Sequence, residues 1–304
     1  MGIGAYIKEV GRGKDGARPL DRVQAADLFG QVLDGGLSDL EVGAFCLAMR
    51  IKGETAQEMA GFLDATHARM QAIPAGVDSV PATIVIPSYN GARKLPVLTP
   101  LLALLLARAG LPVLVHGAST EDKRVFSGAV FAALGITAMD QLRPIAPGSV
   151  AFAPTALLCP GLQRLLDVRR VVHLRNSGHS VVKLMNPCAG RSLLVSSYTH
   201  PEYADSMAET FALMQASGLL LRGTEGEAVA DARRAPRWQA FVRGTVHALQ
   251  ETQGGSLATL PDLPTAIDAA STAAYIRAVL DGAQPLPEPI ARQVQHLIEL
   301  SELV

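Results

Sequence analysis

The chain has 304 residues, 49% hydrophobic and 18% charged, enough for a sizeable core in one large domain or two and too apolar to be disordered. Its formal net charge is −1, which by itself selects no partner. Cys46, Cys159 and Cys188 lie far apart without metal spacing and read as buried thiols in a reducing compartment. The opening MGIGAYIKEVGRGK lacks an apolar signal core, and Leu101–Ala107 is too short to span a bilayer. A cytoplasmic location and no membrane partner are expected.

Charge is unevenly placed. Residues 79–201 hold twelve Lys or Arg and four Asp or Glu, a balance of +8 that leaves −9 for the rest. Such asymmetry points to a polyanionic partner, unless the fold brings acids to those arginines.

In chain order, Ala5–Val10 reads as a short helix, followed by a basic, glycine-rich loop in which Lys14 and Arg18 are candidate anion contacts. Three helices follow, each with a start signal: Asp21, then the capping boxes Ser38-Asp-Leu-Glu41 and Thr55-Ala-Gln-Glu58. Their apolar faces, with Val42, Phe45, Leu47, Met49 and Ile51, exceed what three helices bury alone, so a second subunit is expected to cover part of them. Pro74–Pro81 reads as a linker.

Thr83–Ser119 reads as one βαβ unit: strand Ile84–Ile86, turn SYNGARK, apolar helix Pro100–Ala109, strand Leu111–Val115, then His116-Gly117. Parallel strands place ligands outside their carboxyl ends, so both turns face one crevice. The first turn carries Arg93 and Lys94, with no acid between Asp78 and Glu121. It reads equally as an anion site or as a solvated turn.

Ser119 and Asp122 flank the expected start of a helix over Lys123–Leu134, which would set Gly117–Thr120 at a helix N-terminus, a place that attracts anions. Residues 137–170 are mixed and proline-rich. Further on we expect helices Ser177–Met185, Pro201–Met214, Ser271–Leu280 and Pro289–Leu300. Strands are expected at Leu193–Val195 and Leu219–Leu221, with loop and short strands around Trp238.

No Walker loop, GxGxxG, HExxH or GxSxG motif occurs. His179 in NSGHS reads as a structural histidine in preference to a base. Glu225 and Glu227 could bind a metal, but their spacing in a glycine-rich turn favours turn and cap carboxylates. With aromatics at 5%, stacking on a base would fall to Tyr89 or to arginine planes.

Seven motifs together resemble the anthranilate phosphoribosyltransferase family over nearly the whole chain. They are IKEVGRGK at 7–14, MRIKGE at 49–54, IVIPSYNGARK at 84–94, VHG at 115–117, LRNSGHSVVKLMNP at 174–187, HPEY at 200–203 and RGTEGE at 222–227. The chain is most similar to that family's YbiB-like branch, whose members bind nucleic acid. The resemblance implies a small helical domain, 1–75, joined by a returning helix near 176–187, plus a larger α/β domain, 76–175 and 188–304, around a mostly parallel sheet. It also implies a homodimer through the helical domain.

Departures from the family pattern bear on function. The diphosphate turn Gly-Thr-Gly-Gly-Asp-Gly is replaced by Pro87-Ser-Tyr-Asn-Gly91. The Lys of Lys-His-Gly is Val115. The magnesium-holding Asp-Glu pair falls at Ala228-Val229, with Glu225 or Glu227 as substitutes if the alignment slips, while the substrate-contacting Arg matches Arg175. Without paired carboxylates a metal has little to hold it, so no cofactor, metal or catalytic residue is assigned.

The expectation is sequence-tolerant binding of DNA, single-stranded, or RNA by Ser88, Tyr89, Asn90, Gly91, Arg93, Lys94, His116, Gly117, Ser119, Lys123, Arg124, Arg175 and Lys183, with Lys14 and Arg18. The alternative is a phosphoribosyl- or glycosyl-transferase with an altered substrate.

Overall fold

A computed structural model describes residues 2–13, 15–76, 81–256 and 260–304. It begins with helices α1 (Gly4–Val10), α2 (Arg22–Asp34), α3 (Asp39–Lys52) and α4 (Ala56–Arg69). Asp21, Ser38 and Thr55 each close a full capping box, so one side-chain oxygen and one Glu or Gln satisfy free amides at each start. Phe29, Phe45 and Phe62 pack at the centre of this bundle, the first and last with ring centroids 4.5 Å apart.

The α/β domain follows as β1 (Thr83–Ser88), α5 (Thr99–Arg108), β2 (Val113–Gly117), α6 (Ser127–Ala133), β3 (Val150–Pro154), α7 (Thr155–Leu158) and α8 (Pro160–Val172). Next come α9 (Gly178–Leu184), β4 (Ser192–Tyr198), α10 (Glu202–Leu213), β5 (Gly218–Arg222), β6 (Trp238–Val242), β7 (Thr245–Gln250), α11 (Ala269–Leu280) and α12 (Glu288–Ser301). The sheet order is β3-β2-β1-β4-β5-β6-β7, parallel from β3 through β5 and antiparallel for the last two pairs.

Both faces of the parallel part are covered, which is why its strands are continuously apolar. Val85, Leu114, Leu194 and Leu220 turn toward the core shared with α2, α4, α8 and α9. Ile84, Ile86, Val113, Val115, Leu193 and Val195 turn toward α5, α11 and α12. Strand order reverses between β1 and β4, so the crevice at their carboxyl ends is the topological switch point.

Two expected elements differ. The helix after His116-Gly117 starts at Ser127, because Asp122 pairs with Arg170 at 2.6 Å and the Ser119 carbonyl accepts from Arg170. Gly117–Thr120 therefore does not sit at a helix N-terminus. The proline-rich stretch holds strand β3 and a full helix, α8, since Pro160 opens that helix at its first turn. Helix α8 packs on α2, with Gly161 set against the Leu33 carbonyl. A Cβ there would stand 2.2 Å from that oxygen. Helix α10 packs on α4.

Candidate anion crevice

At the switch point the turn after β5 reaches across and closes on the turn after β1. Glu227, 2% exposed, brings its carboxylate to the end of β1. Oε1 accepts from the backbone N–H of Asn90 and of Gly91, both at 2.8 Å, and Oε2 accepts from Ser88 Oγ and from Thr99 Oγ1. Both oxygens are satisfied, as a buried carboxylate requires. Beside it, Glu225 Oε2 accepts from three consecutive N–H groups, Arg93, Lys94 and Leu95, at 2.9, 3.0 and 3.1 Å. Burial pushes the Glu225 carboxyl up, but those amides and then Arg124 outweigh it and hold it below its ordinary range. The turn carrying both acids is tied down by the Gly226 carbonyl, which accepts from Asn90 Nδ2 at 2.5 Å and Ser197 Oγ at 2.9 Å.

The amides of Asn90, Gly91, Arg93, Lys94 and Leu95 are thus occupied by the protein's own carboxylates. The two acids do cap backbone groups, as their spacing indicated, but across the sheet from their own turn. Thr99, which was not among the expected contacts, joins the site. The switch point was the available signal: in a parallel sheet of this order, the segment after β5 faces the segment after β1.

Several expected contacts are corrected. Tyr89 is 3% exposed. Its hydroxyl lies 2.7 Å from His116 Nδ1 and accepts from Thr155 Oγ1, so it cannot stack on a base. Ser88, Asn90, His116 and Gly117 are buried as well. Burial lowers His116 to about 3, and its Nε2 has no partner among the described residues. Ser119 is exposed and offers its carbonyl to Arg170. Arg124 is committed: it pairs with Glu121 and donates to the carbonyls of Asn90 and Gly91. Arg18 is exposed on the helical domain, 4.0 Å from Glu9. Lys14 lies outside the described residues.

Other expected cations remain without an ion-pair partner among the described residues. Arg93, Lys94 and Lys123 are exposed and have no ion-pair partner among the described residues. Arg175 is half-buried without a hydrogen bond among them. Burial lowers it to about 10, followed by repulsion from Arg169 and Arg124, with Glu121 opposing and Arg50 adding to the repulsion. Arg169 and Arg124 share the single carboxylate of Glu121; Arg169 and Arg50, both near enough to repel Arg175, were not among the expected contacts. Lys183 donates to the Ser197 carbonyl at 3.2 Å. Burial and then Arg175 lower it to about 8 against the pull of Glu227.

A metal fits poorly. Ala228 and Val229 are buried in an apolar core. Glu227 has spent both oxygens, and Glu225 has spent one. Among the described residues no group of three or more His, Cys, Asp or Glu is placed to hold an ion. A cavity of about 500 Å³ lies at the ends of β1–β3, lined by Ser88, Gly117, Ser119, Arg124, Phe126 and Phe152 among others. Among the described residues no helix is long and apolar enough to cross a membrane.

Residues 5–70 match the glycosyl transferase family, helical bundle domain. The uncharacterized protein YbiB of Escherichia coli is 41% identical over 301 residues, spanning 95% of this chain and 91% of that one. Anthranilate phosphoribosyltransferase 2 of Ralstonia nicotianae is 30% identical over 68% of this chain and 60% of its own. Among solved structures, the anthranilate phosphoribosyltransferase of Thermus thermophilus superposes with a TM-score of 0.71 at 20% identity, over 95% of this chain and 85% of that one. The Saccharomyces cerevisiae enzyme in complex with PRPP and Mg gives 0.69 at 14% identity, over 99% and 88%. The helical bundle beside a mostly parallel sheet is their shared fold.

Proposed function

Because the chain belongs to the anthranilate phosphoribosyltransferase-like family, with Escherichia coli YbiB among its relatives, and so carries a phosphoribosyltransferase scaffold, we propose that it has turned the scaffold's crevice to binding the phosphate backbone of DNA or RNA. One observation carries this reading: the Glu227 carboxylate fills the amides of Asn90 and Gly91. A diphosphate at that turn would meet a buried negative charge at hydrogen-bonding distance. Departure of diphosphate also needs its developing charge neutralised, and the acids that would hold a metal for that purpose are bound elsewhere.

Unpaired cations support this reading. Arg93, Lys94, Lys123 and Arg175 lack ion-pair partners among the described residues. Cations spread along an open crevice suit a chain of phosphates, and phosphate contacts position a nucleic acid without reading its sequence.

The test pairs two titrations on the full chain. Fluorescence anisotropy with a labelled single-stranded oligonucleotide is expected to give binding that weakens steeply with salt. Calorimetry with phosphoribosyl diphosphate is expected to show no binding that magnesium strengthens. No oligonucleotide binding at low salt overturns the proposal.

The cavity of about 500 Å³ beside Ser88 and Arg124 favours a second reading, as does the likeness to the Ralstonia enzyme. It is transfer of a phosphoribosyl or related group to an altered acceptor. Heat with phosphoribosyl diphosphate, followed by its consumption, would select it.

A further inference from the structure

We propose that the backbone amides of Arg93, Lys94 and Leu95 form a phosphate-binding site that Glu225 keeps filled, and that a phosphate of the ligand takes the place of the Glu225 carboxylate. This rests on the polyanion reading above and adds a built-in competitor to it.

Three observations distinguish Glu225 from its neighbour Glu227. First, its three donors all fall on one oxygen, Oε2, within 3.1 Å, and they come from consecutive residues in a non-helical loop. A run of N–H groups curved around one point is a general anion nest, indifferent to whether the oxygen belongs to a carboxylate or a phosphate. Second, Glu225 is only half-buried and its other oxygen makes no hydrogen bond among the described residues, whereas Glu227 is buried and uses both. Third, Glu225 holds φ 51, a backbone region sparsely populated by non-glycine residues, so the turn that delivers its carboxylate to the nest is itself a less favourable conformation.

The exchange conserves charge. One carboxylate leaves for solvent and one phosphodiester, also carrying one negative charge, enters. The incoming phosphate finds the exposed side chains of Arg93 and Lys94 on the same three residues, neither with an ion-pair partner among the described residues. When empty, the ligand site is thus neither bare nor open to stray anions. Apparent affinity is set by the fraction of molecules in which Glu225 has let go.

Full-length Glu225→Ala and Glu225→Gln variants test this. Removing a competitor that holds the nest nine-tenths of the time or more tightens binding about 10-fold or more. We expect that gain for Glu225→Ala with a labelled single-stranded oligonucleotide, and a smaller gain for Glu225→Gln, whose neutral amide still offers an oxygen. Inorganic pyrophosphate provides an independent arm. It should bind the Ala variant more tightly than the parent and shift the amide resonances of residues 93–95. Equal or weaker pyrophosphate binding by a folded variant overturns the site. If Ala disrupts folding, the Gln variant decides by the same criterion. Should the parent fail to bind oligonucleotide while pyrophosphate still gains from the substitution, the nest stands and the nucleic-acid reading falls.

Discussion

Asn90 and Gly226 are set face to face. Asn90 Nδ2 donates to the Gly226 carbonyl at 2.5 Å, and a Cβ on Gly226 would stand 1.9 Å from that same nitrogen. Gly226 also has φ 88, which an alanine adopts only with strain. The contact brings the turn after β5 onto the turn after β1 and sets Glu227 in place. Gly226→Ala is therefore expected to cost about 2 kcal/mol or more, through backbone strain and loss of the seat for Asn90. Urea denaturation measures it; an unchanged midpoint would mean that the two turns are not coupled.

On the proposed reading, exposed Arg93 and Lys94 contact phosphates, with Lys123 as a third. Each contact to a single strand contributes about −0.7 to the slope of log K against log salt, so the three give roughly −2 per subunit. Replacing Arg93 and Lys94 together by Ala should flatten the slope by about 1.4 units and leave thermal stability unchanged, since both side chains are exposed. Affinity should differ little between base sequences. Anisotropy at four or five salt concentrations checks both points.

Helix α3 leaves an apolar strip uncovered. Leu40, Leu47 and Ile51 are 82%, 52% and 56% exposed, while Phe45 and Met49 on the opposite side are fully buried. We predict that a second copy of the chain covers this strip. Light scattering at micromolar concentration should report a dimer, and Leu47→Asp with Ile51→Asp should give a folded monomer. A monomeric parent protein counts against the assignment.

Acid sensitivity should come in part from two buried imidazoles. Burial lowers both His116 and His179 to about 3 from 6.5, with Arg175 and then Arg169 adding to the effect at His179. Between those values the unfolded chain binds protons that the folded chain does not. Stability is full above pH 6.5 and falls as pH drops toward 3, at up to about 1.4 kcal/mol per pH unit for each histidine. His116→Gln should remove one histidine's share of that slope in urea titrations between pH 6.5 and 4.5. A slope equal to the parent's would place the acid response elsewhere.

The helical domain was legible because its signals are local. Asp21, Ser38 and Thr55 each sit three residues before a Gln or Glu, and all three capping boxes formed. The βαβ unit was legible for a similar reason, since a β-branched run, an apolar helix and a second apolar run follow in order. Local signals misled where a distant partner claimed them. Asp122 looked like a cap and is instead an ion-pair partner of Arg170, 48 residues away. Tyr89 sits on a polar turn, yet the turn folds inward at the switch point and its hydroxyl is spent on His116. The filling of the crevice depends on Glu227 meeting Asn90 across 137 residues. Periodicity and capping say nothing about contacts at that range; strand order does, and the sequence shows that order only through its likeness to a family.

The seat of α8 on α2 bears on how the chain is made. Leu33 O meets Arg164 Nη2 at 2.8 Å across 131 residues of sequence, and the backbone of Gly161 closes over the same carbonyl. A ribosome adding about 5–20 residues per second needs roughly 7 to 26 s to bridge that interval. For that time the C-terminal end of α2 is on the outside of the growing chain with its covering helix still unmade. That end of the helical domain is therefore sealed only once residues 160–172 have been made, and a chaperone that shields α2 during synthesis would act in this window.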